Sequence, residues 1–121
     1  SGLDGIRWVV EDALKFVKRE VRRGNSYQGI ILDPPAYGRG ADGEKWVLEE
    51  HINEMIKQCS ELLDEHENFL IMSLYSMGFS SLIGENLIRS AFGNRETMES
   101  GELFLADNFG KKLPLGTVLR F

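Results

Sequence analysis

The chain has 121 residues, of which 42% are hydrophobic and 27% charged, and its formal net charge is −5. That length suits one domain rather than two, and the composition is that of an ordinary globular core, not of a disordered segment. The longest apolar runs, around Ile30-Ile31-Leu32 and Phe69-Leu70-Ile71-Met72, fall far short of the roughly 20 residues a membrane span needs, and Ser1-Gly2-Leu3-Asp4 is not of signal-peptide type, so a cytoplasmic protein without a membrane partner is expected. In chain order, Ile6-Arg7-Trp8-Val9-Val10 is short, β-branched and aromatic, and predicts a strand. Asp12 follows as a helix N-cap, its carboxylate able to accept from the free N–H groups of the first turn. Leu14, Val17 and Val21 recur at helical spacing until Gly24-Asn25 stops the helix. Gly29-Ile30-Ile31-Leu32 is apolar on consecutive positions, as in a parallel strand buried on both faces. Asp33-Pro34-Pro35 ends it, because two prolines remove two backbone donors.

A loop from Ala36 to Gly43 precedes the clearest helix, on which Leu48, Ile52, Met55, Ile56, Cys59, Leu62 and Leu63 share one face. Phe69-Leu70-Ile71-Met72-Ser73-Leu74 predicts another buried strand. Ser80 or Ser81 then caps a helix with Ile83, Leu87, Ile88, Ala91 and Phe92 on its apolar face, closed by Gly93-Asn94. Residues 102–106 and 117–121 read as a hairpin-like strand pair around Asn108-Phe109-Gly110. The order β-α-β-α-β-α-β-β predicts an α/β fold: a mostly parallel sheet of about five strands with an antiparallel C-terminal strand and three helices.

In open α/β sheets, ligands bind beyond the carboxyl ends of the strands. Three polar segments follow predicted strands: Glu11-Asp12, Asp33-Pro34-Pro35-Ala36-Tyr37 and Tyr75-Ser76. The basic cluster Lys15, Lys18, Arg19, Arg22 and Arg23 reads as the solvated face of a helix, and the chain as a whole lacks the positive balance of polynucleotide binders. Cys59, the single cysteine, excludes an internal disulfide and falls on an apolar helical face, where a thiol is inert. No Cys/His cluster has zinc-site spacing, so no metal is expected.

An acidic residue after one strand, then Ile-Leu-Asp-Pro-Pro with an aromatic two residues later, resembles the motifs of class I methyltransferases that use S-adenosylmethionine (SAM). The longer string Asp33-Pro34-Pro35-Ala36-Tyr37-Gly38-Arg39-Gly40, with the Trp46 helix and Ser100-Gly101-Glu102-Leu103, is similar to bacterial enzymes grouped with the 23S ribosomal RNA cytosine-C5 methyltransferases. The resemblance covers essentially the whole chain. It implies a Rossmann-like half-domain with SAM as cofactor and RNA as partner. It places Asp12 against the adenine amino group, with the Ala13 N–H nearby, and Asp33 at the reacting end of cofactor and substrate. Pro34 and Pro35 stiffen that turn and present their carbonyls, so Asp33, Pro34, Pro35 and Tyr37 are the catalytic candidates. Tyr37 stacking on a flat base, Arg39 pairing with a phosphate, and Ser76 in the following loop are the substrate-binding candidates.

Two departures qualify the resemblance. Methylating C5 of a pyrimidine normally needs a cysteine nucleophile, and the place where the related enzymes carry it reads Leu74-Tyr75-Ser76-Met77-Gly78. Transfer to an exposed nitrogen or oxygen, with Asp33 orienting the acceptor, fits these residues better. In addition, no strand followed by Gly-x-Gly-x-Gly occurs, so residues 1–121 are expected to be the carboxyl-terminal half of the domain, inactive alone. A non-catalytic methyltransferase-like interaction module and a small-molecule or protein methyltransferase are the alternatives. Such a half should pair residues 6–10 directly with Gly29-Ile30-Ile31-Leu32-Asp33, or swap them onto another copy. It should also self-associate, as a dimer, through the swapped strand or the uncovered face of the sheet.

Overall fold

The computed structural model describes residues 5–40, 42–75, 80–93 and 95–121. Its elements are α1 (Ala13–Arg22), β1 (Gly29–Leu32), β2 (Tyr37–Arg39), β3 (Lys45–Val47), α2 (Leu48–Leu62), β4 (Phe69–Leu74), α3 (Ser81–Phe92), β5 (Glu99–Ala106) and β6 (Lys112–Arg120). Four strands form one mixed sheet in the order β1-β4-β6-β5, and β2 and β3 form a separate ribbon. β1 pairs with β4 in parallel, Ile30 opposite Leu70 and Leu32 opposite Met72. β6 lies antiparallel to both β4 and β5, which supplies the expected antiparallel C-terminal strand.

The helices start and stop where local chemistry dictates. Asp12 caps α1 by accepting from the Lys15 N–H at 3.0 Å, and Gly24 takes the positive φ, 71°, that ends it. Ser80 rather than Ser81 caps α3, accepting from the Ile83 N–H. α2 has no side-chain cap at Val47 itself; instead the His51 ring nitrogen accepts the Val47 N–H at 3.1 Å. Asp107 accepts from Phe109 and Lys111 N–H groups, each at 2.8 Å, and so closes the β5–β6 turn.

One face of the sheet is packed. Leu70, Met72 and Leu74 of β4 and Leu119 of β6 form a core with Leu48, Ile52 and Ile56 of α2 and Ile88 of α3, all at most 2% exposed. α1 packs on α2 rather than deep in this core. α3 lies so close to β6 that a Cβ at Gly84 would stand 2.8 Å from Leu119 Cδ1, and only a glycine gives that approach without displacing the leucine. The opposite face carries Ile31, Phe69 and Ile71, all exposed. The continuous apolar run of β1 predicts burial on both faces, yet Ile31 is 73% exposed.

Residues 6–10, expected as a strand, do not form one. Among the described residues no strand precedes α1, and Trp8 and Val10 are among the exposed large apolar side chains. Neither does this segment pair with β1. β-propensity describes a fit to a pleated surface with neighbours on either side, and a strand exists only where a ladder receives it. Conversely, the segment expected as a loop from Ala36 to Gly43 contains β2, and the ribbon turns back into β3 through Gly43 at φ 85°. The two C-terminal strands, β5 and β6, also run longer than expected.

Ile88 is fully buried, so Ile88→Ala should cost about 2–5 kcal/mol, whereas Trp8→Ala should stay within about 0.5 kcal/mol. Urea unfolding midpoints of the two variants check the contrast. An Ile88→Ala chain as stable as the parent would place the core elsewhere.

Candidate functional site

α1 begins and β1 ends at the same cleft. Its volume is about 510 Å³, and its walls include Asp12, Ala13, Asp33, Pro34, Pro35 and Arg39. Apolar side chains from Val10, Leu14, Ile31 and Leu32 complete the inner surface. Thus six of the eight candidates from the sequence meet in one place. Tyr37 stands beside it on β2, 55% exposed, without lining the wall. Ser76 lies outside the described residues.

Each wall follows from its sequence. Ala13 and Leu14 open α1, so their N–H groups have no acceptor within the helix and face outward at its positive end. Asp12 divides its carboxylate. One oxygen caps the helix, and the other approaches the ribbon so closely that a Cβ at Gly40 would lie 3.2 Å from it. Asp33 is exposed rather than sealed in a buried strand end, and the Ser73 hydroxyl donates to its Oδ1 at 2.7 Å. β1 and β4 are neighbours, which is what brings Ser73 to Asp33 across 40 positions of sequence. Nothing local in the sequence connects the two residues, so only the strand pairing reveals this partner.

The ribbon holds the turn from the other side. The indole N–H of Trp46 on β3 donates to the Pro35 carbonyl at 2.7 Å, and its ring stacks on His51 of α2 with centroids 5.4 Å apart. One of the two carbonyls expected to face outward is therefore already engaged. At its tip the ribbon is tied to α1 by Lys15, whose ammonium pairs with Glu44 and with Asp42, the latter at 3.3 Å. Those hydrogen bonds raise the Lys15 ammonium above its ordinary range, and Lys15 lowers the Glu44 carboxyl below its own.

The rest of the basic cluster behaves as a helix surface. Lys18 pairs with Glu54 at 2.6 Å, and Arg19 donates to Glu11 from its two terminal guanidinium nitrogens, each at 2.6 Å. The Cys59 thiol is 2% exposed in the α2 core, and burial pushes its pKa up to about 11. Among the described residues no group of three or more His, Cys, Asp or Glu side chains is placed to hold a metal ion, and no helix is long and apolar enough to cross a membrane.

No protein-family model and no curated protein sequence matches the chain. Solved structures do. A SAM-dependent methyltransferase from Agrobacterium tumefaciens is 35% identical and superposes with a TM-score of 0.86 over 96% of this chain. The fold is Rossmann-like, of the methyltransferase type. A candidate SAM-dependent methyltransferase from Streptococcus mutans, 20% identical over 90% of the chain, gives a TM-score of 0.62. The SAM complex of M1.HpyAVI, 16% identical over 92%, gives 0.52. The chain spans only 39% of the Agrobacterium protein and 28% of the Streptococcus protein.

A thiol held in its protonated form inside a packed helix does not act as a nucleophile. Native chain should therefore resist iodoacetamide at neutral pH for hours, and react within minutes once unfolded in urea. Rapid modification of Cys59 in the folded state would show that α2 opens far more readily than its packing implies.

Proposed function

We propose that this chain forms the carboxyl-terminal half of a SAM-dependent methyltransferase domain that acts on RNA, transferring the methyl group to an exposed nitrogen or oxygen oriented by Asp33. The observation that carries the reading is the meeting of the α1 N-terminus and the Asp33-Pro34-Pro35 turn in one cleft, in a chain 35% identical to a SAM-dependent methyltransferase over 96% of its length.

The residues fit the adenosine part of SAM. Val10, Leu14, Ile31 and Leu32 offer an apolar surface to a flat ring, Asp12 retains a second oxygen for an amino group, and Ala13 has an N–H free of the helix ladder. When bound, SAM supplies an electrophilic methyl group. The chain's own share is then positional. Asp33, steadied by Ser73, accepts a hydrogen bond from the acceptor group and fixes its direction. Pro34, which is buried, keeps the turn from flexing. Tyr37 and Arg39, exposed on β2 beside the cleft, stack on a base and pair with a phosphate.

The acceptor is not a pyrimidine C5 atom in this reading. Cys59 is the only cysteine in the chain and lies in the core, so these residues contain no thiolate to activate the ring. RNA is favoured by the family resemblance of the Asp33–Gly40 string and by the exposed Tyr37–Arg39 pair. Lys15, Lys18 and Arg19 are engaged with acidic partners of the same chain, so most of the electrostatic grip on RNA comes from outside residues 1–121. The 121-residue chain alone has little activity, since holding the reactants in place is most of the catalysis and this chain holds only part of the cofactor. It self-associates through the sheet face that carries Ile31, Phe69 and Ile71.

Tritiated SAM and total RNA test the activity in the longer protein. Asp33→Ala should lower kcat about 100-fold, and Asp12→Ala should raise KM for SAM about tenfold, the loss of one hydrogen bond. Label appearing in protein or in small molecules but not in RNA would overturn the substrate class. Full transfer by Asp33→Ala would overturn its role. Light scattering on the 121-residue chain at ~100 μM should show dimers or larger species, and a strictly monomeric chain would remove the self-association proposal.

A further inference from the structure

The turn that carries Asp33 is gripped from two sides by side chains that lie in different elements and do not line up in sequence. From β4, the Ser73 hydroxyl donates to Asp33 Oδ1 at 2.7 Å. From β3, the Trp46 indole donates to the Pro35 carbonyl at 2.7 Å. Both partners are themselves held. Ser73 sits in the β4 ladder opposite Val118 of β6, between the fully buried Met72 and Leu74. Trp46 is fixed opposite Gly38 in the ribbon and stacked on His51. The ribbon is in turn joined to the head of α2 by the Leu48 N–H to Ala36 carbonyl bond, 3.0 Å.

We propose that Ser73 and Trp46 are positioning residues of the methyl-transfer site, and that they act by assigning the acceptors of the turn. The proposal rests on the methyltransferase reading. Asp33 has two oxygens and is exposed, so without a partner its carboxylate would rotate among several orientations. Ser73 engages Oδ1, and among the described residues no side chain or backbone group donates to Oδ2. That oxygen is the one left for an incoming group. Trp46 removes the Pro35 carbonyl from the same competition and stops the turn from sliding along the cleft. Proline has no N–H of its own with which to brace the turn, so the bracing has to come from a side chain elsewhere. An indole N–H is a donor only, so it serves this role in one sense and cannot reverse it.

The distinction from simple packing lies in what each variant keeps. Trp46→Phe retains a ring against His51 and loses only the donor. Ser73→Ala removes the hydroxyl, and Ser73→Thr restores it on a β-branched residue suited to a strand. In the longer, SAM-binding protein, Trp46→Phe and Ser73→Ala should each lower kcat by about tenfold or more, because misplacement rather than loss of a reacting group is at stake. Affinity for S-adenosylhomocysteine, read by calorimetry, should stay within about twofold, and Ser73→Thr should recover most of the rate. In the 121-residue chain, the Trp46 indole N–H should exchange with solvent more slowly than that of Trp8, and Asp33→Asn should leave that protection in place.

Several results would overturn the proposal. Unchanged kcat in both variants, with methyl transfer intact in the parent, removes the positioning roles and leaves the functional reading standing. Loss of rate together with loss of cofactor affinity, not rescued by threonine, reduces both residues to structural supports. A parent that neither binds S-adenosylhomocysteine nor transfers methyl groups overturns the functional reading itself, and the positioning roles with it. Equal exchange of the two indole N–H groups removes the Trp46 contact whatever the activity.

Discussion

The contact between one stripe of α2 and one face of β4 determines where everything else in this molecule lies. Leu48, Ile52 and Ile56 set a helix against Leu70, Met72 and Leu74, and the pairing register of β4 then fixes β1 on one side and β6 on the other. Because β1 is pinned at Gly29–Phe69 and Leu32–Met72, Asp33 emerges beside Ser73 with no freedom in register. A slip of one residue would turn every side chain of β1 to the other face and carry Asp33 away from its partner. The chemistry at the turn is thus inherited from hydrophobic packing some distance below it.

The two faces of the sheet show how differently one chain can treat equal hydrophobicity. Leu70 and Met72 are sealed under α2, while Phe69 and Ile71, alternating with them on the same strand, stand in water. In the Agrobacterium relative this chain corresponds to 39% of the length, so a large part of that protein has no counterpart among these residues. The exposed apolar face and the unpaired residues 6–10 share a physical description: surface with the composition of an interior and, among the described residues, no layer packed over it.

Much of this arrangement is legible in the sequence, and the illegible parts have a common cause. The α1 cap at Asp12, the α2 stripe, the α3 stop at Gly93 and the Asp33 turn all depend on residues within a few positions of each other, and local rules recover them. The meeting of Asp12, Ala13, Asp33, Pro34, Pro35 and Arg39 was also within reach, because α/β topology brings the polar segments that follow strands to one edge. Residues 6–10 have strand-like composition and still make no strand, since pairing is a property of the neighbour. The β2–β3 ribbon was hidden by its glycines, although Lys45-Trp46-Val47 carries an aromatic and a β-branched residue in a row. Ser73 and Trp46 were beyond reach as site residues: their partners lie 40 and 11 positions away, Ser73 belongs to no motif, and Trp46 enters the resemblance without a partner at the turn.

The two walls of the cleft are held by different forces. The inner wall, from β1 and the Asp33 turn, stands on packed hydrocarbon and on hydrogen bonds in the sheet. The tip of the outer wall is tied to α1 through Lys15, Asp42 and Glu44, charges that reach across 27 and 29 positions of chain and sit at the surface. Ions in solution screen the second and leave the first untouched, the screening length shrinking to about 3 Å at 1 M salt. Ionic strength therefore acts on this cleft as a selective solvent variable, loosening the ribbon's tip against the helix while the floor beneath keeps its shape.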